Sequence, residues 1–163
     1  MKRHHLRRVD DAFFSAAPVR TTAVIEVPEG PVEVWKVIAA DDAVGSWSRL
    51  VTEAHWLDDR RDVGAVREVT LGGALTVTEV FYRWDINERM TFSASETTGP
   101  GIAAFAEDYV LTSTPSGSRL EWTVALEPSV SVPGPVAAAL GRGLGLAMAP
   151  LVKGLRAKVI DAS

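Results

Sequence analysis

The sequence predicts an α+β fold: a curved antiparallel sheet of about seven strands around one long C-terminal helix, with two short helices after the first strand. Three observations predict it. Between Arg20 and Leu126, most segments alternate apolar and polar residues with a period of two. The last stretch, Val132 to Ile160, instead repeats Leu140, Leu144, Met148, Leu151, Leu155 and Val159 every three or four residues, one face of a long helix. Finally, a Pro-Glu-Gly-Pro break at 28–31 separates the first strand from a short apolar helix pattern.

Residues 1–18 read as an N-terminal extension to a single domain at 19–163. The extension is basic at Lys2, Arg3, Arg7 and Arg8, with Phe13 and Phe14 behind. It reads as a frayed terminus whose two phenylalanines dock on the body, or alternatively as an arm that meets a partner or anionic surface. Arg20 to Val27 is the first strand. Pro31 opens a helix with Val34, Trp35, Val37 and Ile38 on its apolar stripe, and Asp41 or Asp42 caps a second short helix ending near Trp47. Val51 to Leu57 is a strand.

Gly64 to Leu71 and Leu75 to Trp84 flank Gly72-Gly73-Ala74. With these three residues as a hairpin loop, Leu71 faces Leu75, Val69 faces Val77, Arg67 faces Glu79 and Ala65 faces Phe81. The large apolar residues then share one face, and Glu68, Thr70, Thr76 and Thr78 share the other. Arg67 and Glu79 are thereby set opposite each other on the inner face. Pairing Phe81 with Phe92 places Met90, Phe92, Ala94 and Glu96 inward on a strand at Arg89 to Glu96. A strand from about Ala103 to Ser113 carries Phe105, Glu107, Tyr109 and Leu111 on one face. Matching Leu111 with Leu120 sets Tyr109 opposite Trp122 and Glu107 opposite Val124, on a strand at Arg119 to Leu126. The closing helix starts at V-P-G-P-V, carries Gly141, Gly143, Gly145 and Gly154, and contains Pro150. Each glycine costs about 1 kcal/mol against alanine, so packing must hold this helix, and its small residues admit close neighbours. Val130 to Val152 is long and apolar enough to span a bilayer, but Arg142 and the glycines and prolines favour a core helix.

Composition narrows the function. The chain has 163 residues, 47% hydrophobic and 23% charged, enough for a real core. A net charge of -4 gives no electrostatic support for nucleic-acid binding. The absence of cysteine excludes disulfides, thiol catalysis and cysteine-held metals, and only His4, His5 and His55 are histidines, so neither metal nor cofactor is expected. The basic start has no apolar run behind it, unlike a secretory signal, and a cytoplasmic protein is expected. Homodimerisation is left open.

The chain resembles the START-like, helix-grip (SRPBCC) superfamily, and within it the bacterial polyketide cyclase/dehydrase-like family, over about residues 20 to 160. The resemblance rests on V-I-E-V-P-E-G-P-V-E-V-W-K-V-I-A, A-V-G-S-W-S, V-G-A-V-R-E-V-T with L-T-V-T-E-V-F, and G-S-R-L-E-W. It implies a deep cavity between sheet and C-terminal helix for hydrophobic small molecules, in carriers and in cyclases alike, so the fold does not settle the function. No exact catalytic motif carries over, although Arg67 and Glu79 match an Arg and a Glu often found on these strands.

The candidate ligand-binding residues are Arg67, Glu79, Val77, Phe81, Phe92, Phe105, Trp122, Leu144 and Met148. Arg67 would hold a carboxylate or enolate-like oxygen, with Glu79 fixing the guanidinium. Glu107 and Tyr109 are the acid/base candidates, because a carboxyl in an apolar cavity has a raised pKa. His55, beside Glu53, is a weaker one. The leading expectation is a binding protein for a hydrophobic or aromatic small molecule, lipid- or polyketide-like. One alternative is a cofactor-independent cyclase or dehydratase (lyase or isomerase type) using the same cavity. The other is an interaction module whose cavity has collapsed.

Overall fold

A computed structural model describes residues 2–162. In chain order the elements are β1 (His4–His5), α1 (Phe13–Ala16), β2 (Val19–Val27), α2 (Pro31–Ile38), α3 (Ala43–Trp47), β3 (Val51–Trp56), β4 (Val66–Leu71), β5 (Leu75–Asp85), β6 (Arg89–Thr97), β7 (Ile102–Thr114), β8 (Gly117–Pro128) and α4 (Gly134–Asp161). One antiparallel sheet runs β2-β8-β7-β6-β5-β4-β3, and β1 pairs with β6. It is the expected α+β arrangement, a curled sheet with the long helix against it.

The predicted registers are those observed. Leu71 pairs with Leu75, Val69 with Val77 and Arg67 with Glu79. The turn between them runs through Gly72 and Gly73, at φ 57° and 69°, a left-handed conformation that glycine adopts without steric cost. Phe81 pairs with Phe92. Leu111 pairs with Leu120, Tyr109 with Trp122 and Glu107 with Val124.

Irregularities in β3, β5 and β6 redirect side chains against the simple alternation, and a further register shift lies between Ile102 and Ala104 of β7. Glu79 pairs with Ala94 but Thr78 with Glu96, so Ser95 is an extra residue on β6. The faces exchange there: Glu96 leaves the predicted inner face for the side of Thr78, where Arg3 and His5 meet it, and Thr97 turns inward. A second bulge, between Phe81 and Arg83, sets Trp84 opposite Met90. On β3 the register shifts between Val51 and Glu53. Val51 is buried, whereas Glu53 and His55 face solvent, so His55 is not part of the interior.

The core is dense at one end. Phe81 lies 5.2 Å from Trp84, 5.3 Å from Phe92 and 5.4 Å from Trp56, and Trp35 stands edge-on to Trp84 at 5.8 Å. α4 buries Ala137, Gly141, Met148, Leu155 and Val159, with Leu144, Leu151 and Val152 partly covered. Its buried stripe departs from the prediction at the N-terminal end, where Leu140 is 45% exposed. There the helix lies so close to β2 that only small residues fit: a Cβ on Gly141 would stand 3.1 Å from the Arg20 carbonyl oxygen. Gly154 is tighter still, since a Cβ there would run into the Trp47 carbonyl oxygen at the end of α3.

The N-terminal extension is not frayed. Phe13 is buried beside Ala17 against Ala104, Ala106 and Ala125 of β7 and β8, with Phe14 packed on the same cluster.

Two substitutions separate the helix's glycine roles. Gly154→Ala should lose about 1–3 kcal/mol by overpacking against Trp47. Gly143→Ala, where a Cβ meets nothing within 4 Å, should gain about 1 kcal/mol from helix propensity. Urea unfolding of both variants checks the pair; equal effects would contradict the close contact of α4 with α3.

Candidate functional site

Between the concave face of the sheet and α4 lies a cavity of about 250 Å³. Its walls are mainly aliphatic: Val69, Leu71, Leu75 and Val77 from the β4–β5 hairpin, and Leu144, Ala147, Met148 and Leu151 from α4. Phe105 and Trp122 also line it. Phe81 and Phe92 do not, in contrast to the expectation; they belong to the packed aromatic end of the core. The interior is therefore filled at one end and hollow at the other.

The polar groups gather on one wall. Arg67 and Glu79 are 3% and 6% exposed, and Arg67 Nε donates to Glu79 Oε2 at 2.7 Å. The guanidinium carbon lies 5.2 Å from the ring centres of both Trp56 and Phe81. These rings favour a cation beside them. Only Nε is used: neither Nη nitrogen of Arg67 has a hydrogen-bond partner among the described residues, and Nη1 is fully enclosed. Trp56 was not anticipated as a neighbour of Arg67. Its signal was available, since Ala54 and Trp56 make that side of β3 the more apolar one.

Glu107 follows on β7. Its Oε2 accepts hydrogen bonds from the Tyr109 hydroxyl and from Trp122 Nε1, both at 2.8 Å. The two donors are stacked, with ring centres 5.0 Å apart and planes at 22°. Both bonds fall on one oxygen, which leaves Oε1 for a further partner. Glu107 is one of the cavity's walls, so the surface it retains faces the cavity. Burial pushes its pKa up from 4.5 to about 7, and the charge of Glu79 adds to this, against the Tyr109 and Trp122 hydrogen bonds and Arg67. Burial likewise raises Glu79, with Arg67 opposing. Tyr109 is raised well above the ordinary phenol range by burial and by Glu107, so its hydroxyl stays a donor.

Sequence reasoning thus named Arg67, Glu79, Glu107 and Tyr109, and the fold brings all four to one wall, with Val77, Phe105, Trp122, Leu144 and Met148 around the same space. It missed Leu6, which reaches the cavity from the N-terminal extension. No periodicity in that segment points to it. Among the described residues no three His, Asp or Glu side chains are grouped as metal ligands.

The raised Glu107 pKa has a signed consequence for stability. The folded state holds the proton more tightly than the unfolded chain. The resulting stabilisation is complete below pH 4.5 and is lost as pH rises through about 7. Glu107→Gln lacks this dependence while keeping an oxygen for Tyr109 and Trp122. Between pH 5 and pH 8 the wild type should lose about 2–3 kcal/mol relative to the variant. Parallel urea titrations at the two pH values read this difference.

Comparison with known proteins places the chain. The family model described as "Polyketide cyclase / dehydrase and lipid transport" matches residues 18–160. An uncharacterised protein of Mycobacterium tuberculosis, Rv2574, is 30% identical over 119 residues, covering 72% of this chain and 71% of that one. A START superfamily protein from Mycobacterium smegmatis superposes with a TM-score of 0.72 at 14% identity, over 88% of this chain and 99% of that one. The structure of Ara h 8.0201 does so with a TM-score of 0.70 at 15% identity, over 87% and 97%. These two likenesses concern the fold alone. With the family match spanning nearly the whole of the sheet and α4, the chain belongs to the polyketide cyclase/dehydrase and lipid transport family of START-like (SRPBCC) proteins.

Proposed function

We propose that the cavity binds a small hydrophobic or aromatic molecule, lipid- or polyketide-like, whose single polar end is a carboxylate, phenol or carbonyl oxygen. The observation that carries this reading is Arg67: a buried arginine on the wall of an apolar cavity, held by Glu79 through Nε alone, with its Nη donors unspent. Donors kept in such a place favour an oxygen that arrives with the ligand, because an unpaired buried polar group is costly. The volume, about 250 Å³, lies just below the range of about 300–1,000 Å³ usual for small-molecule sites, which suits a ligand of one or two fused rings or a short acyl chain. A collapsed interaction module would need a filled interior, and the hollow end of the core speaks against it.

A second reading rests on Glu107. A carboxyl that titrates near 7 in an apolar cavity suits proton transfer at neutral pH. With a ketone oxygen on Arg67, Glu107 would take a proton from the adjacent carbon and return it elsewhere. Such steps make up enolisation, cyclisation and dehydration without a cofactor. Deuterium uptake by 1-tetralone in heavy water, read by NMR, tests this. Exchange should be faster with wild type than with Glu107→Gln, and equal rates would leave binding alone.

Native mass spectrometry of protein purified from its own host should show an apolar adduct that denaturation releases. In titrations with 1-anilinonaphthalene-8-sulfonate, Arg67→Met combined with Glu79→Gln should weaken binding at least about tenfold, while naphthalene affinity changes little. The double change avoids leaving Glu79 as an unpaired buried charge. Unaltered sulfonate affinity would remove Arg67 from the site.

A further inference from the structure

β6 and β7 do not pair along their whole length. Their ladder covers Arg89–Ser93 against Val110–Ala106 and stops there, although β6 continues to Thr97 and β7 begins at Ile102. The N-terminal arm fills the opening. His4 and His5 pair with Thr97 and Glu96 of β6. The Leu6 N–H donates to the Ser95 carbonyl at 2.9 Å, and the next residue crosses to the other side, with the Arg7 N–H donating to the Ala103 carbonyl of β7 at 2.8 Å. The arm therefore satisfies backbone groups on both separated strands, which a buried edge requires. The Val9 N–H reaches Ser93 Oγ at 3.2 Å, where the β6–β7 ladder resumes.

Leu6 is the part of this arm that turns inward. It is 7% exposed and lines the cavity together with Thr97 of β6 and Ile102 and Phe105 of β7. Thr97 faces the cavity because of the Ser95 bulge, so the irregularity that turns Glu96 outward also sets the frame for Leu6. The outward residues hold the arm in place. Arg3 meets Glu68 at 2.7 Å, Arg7 meets Glu127 at 2.6 Å and Asp11 meets Arg83 at 2.7 Å. Phe13 then seats on the alanines of β7 and β8. The family match begins at residue 18, after the whole of this segment.

We propose that the N-terminal arm is a wall of the ligand cavity and that Leu6 is a specificity-determining residue, setting how far a ligand extends between β6 and β7. This rests on the binding reading above and deepens it. The family domain alone would leave the cavity open through the gap in the sheet. A large residue at position 6 shortens the space, and a small one lengthens it toward the surface.

The test uses the full chain with two probes of different length, 1-anilinonaphthalene-8-sulfonate and 11-(dansylamino)undecanoate. Leu6→Ala should improve the ratio of affinities toward the longer probe by about tenfold, the scale of discrimination an apolar pocket gains from a few methylenes. Leu6→Trp should weaken both probes by at least about tenfold. Thermal midpoints close to wild type show that each variant folds. Should Leu6→Trp not fold, hydrogen exchange on the wild type gives a second reading: probe binding should slow the Leu6 and Arg7 amides. Unchanged affinities in both Leu6 variants, with the Arg67/Glu79 variant still losing the sulfonate probe, would overturn the wall while leaving the cavity reading intact. If wild type binds neither probe, the cavity reading falls and this proposal with it.

Discussion

The ion pair of Arg67 with Glu79 is the constraint on which both fold and site turn. Two charges at 3% and 6% exposure have lost most of their hydration, and their attraction does little more than offset that loss. Such a pair is poor at holding a protein together but strict about where it sits. Shifting β4 against β5 by one residue would set Arg67 and Glu79 on opposite faces of the sheet and leave one of the two charges in the apolar interior without its partner. The two-glycine turn sets the register from one end, and the aromatic contacts of Phe81 hold it at the other. The pair lies between them.

The electrostatics of the cavity follow from that position. Glu107 lies within the field of the pair, and Glu79 raises its pKa while Arg67 lowers it. Near neutral pH Glu107 is therefore about half protonated, beside a Glu79 whose pKa burial also raises and Arg67 opposes. An anionic ligand drawn to Arg67 adds negative charge beside Glu107 and favours its protonated form, so its binding is linked to proton uptake. A neutral ketone makes no such demand and leaves Glu107 free to exchange its proton. The two proposed readings, acid binding and enolisation, thus differ in the charge of the ligand that meets the same arrangement.

The sequence made the local and the repetitive legible. Alternation identified the strands of the main sheet, and the Gly72–Gly73 hairpin made one register nearly obligatory, which put Arg67 and Glu79 together. What alternation could not show was where it breaks. A bulge is one residue long, and its cause lies in the twist and pairing of neighbouring strands. Glu96 was therefore assigned to the wrong face, and Trp84 was not placed inside. The helix stripe failed at Leu140 for a related reason. Periodicity ranks faces by apolar content, whereas α4 packs its smallest residues against β2 because backbone approach matters more there than side-chain burial. Leu6 lay beyond any local signal. It is apolar among arginines and histidines, and only a gap between strands ninety residues away gives it a place.

The division of the interior into a filled and a hollow end also needs a cause. At the filled end five aromatic rings occupy the space between α2 and the sheet. At the other, α4 lies close to its neighbours at both ends of the cavity: a Cβ on Gly141 would be tight against β2, and one on Gly154 would run into Trp47. Held close at these two points, the helix leaves a gap toward β4 and β5 that Leu144, Met148 and Leu151 line. A dry void costs about 24 cal/mol per Å³. Water relieves little of this, because its partners lie on one wall only. The glycine contacts thus hold open a space that is expensive when empty. An apolar ligand with one oxygen-bearing end relieves both costs together, the void through its body and the unspent Arg67 donors through its head.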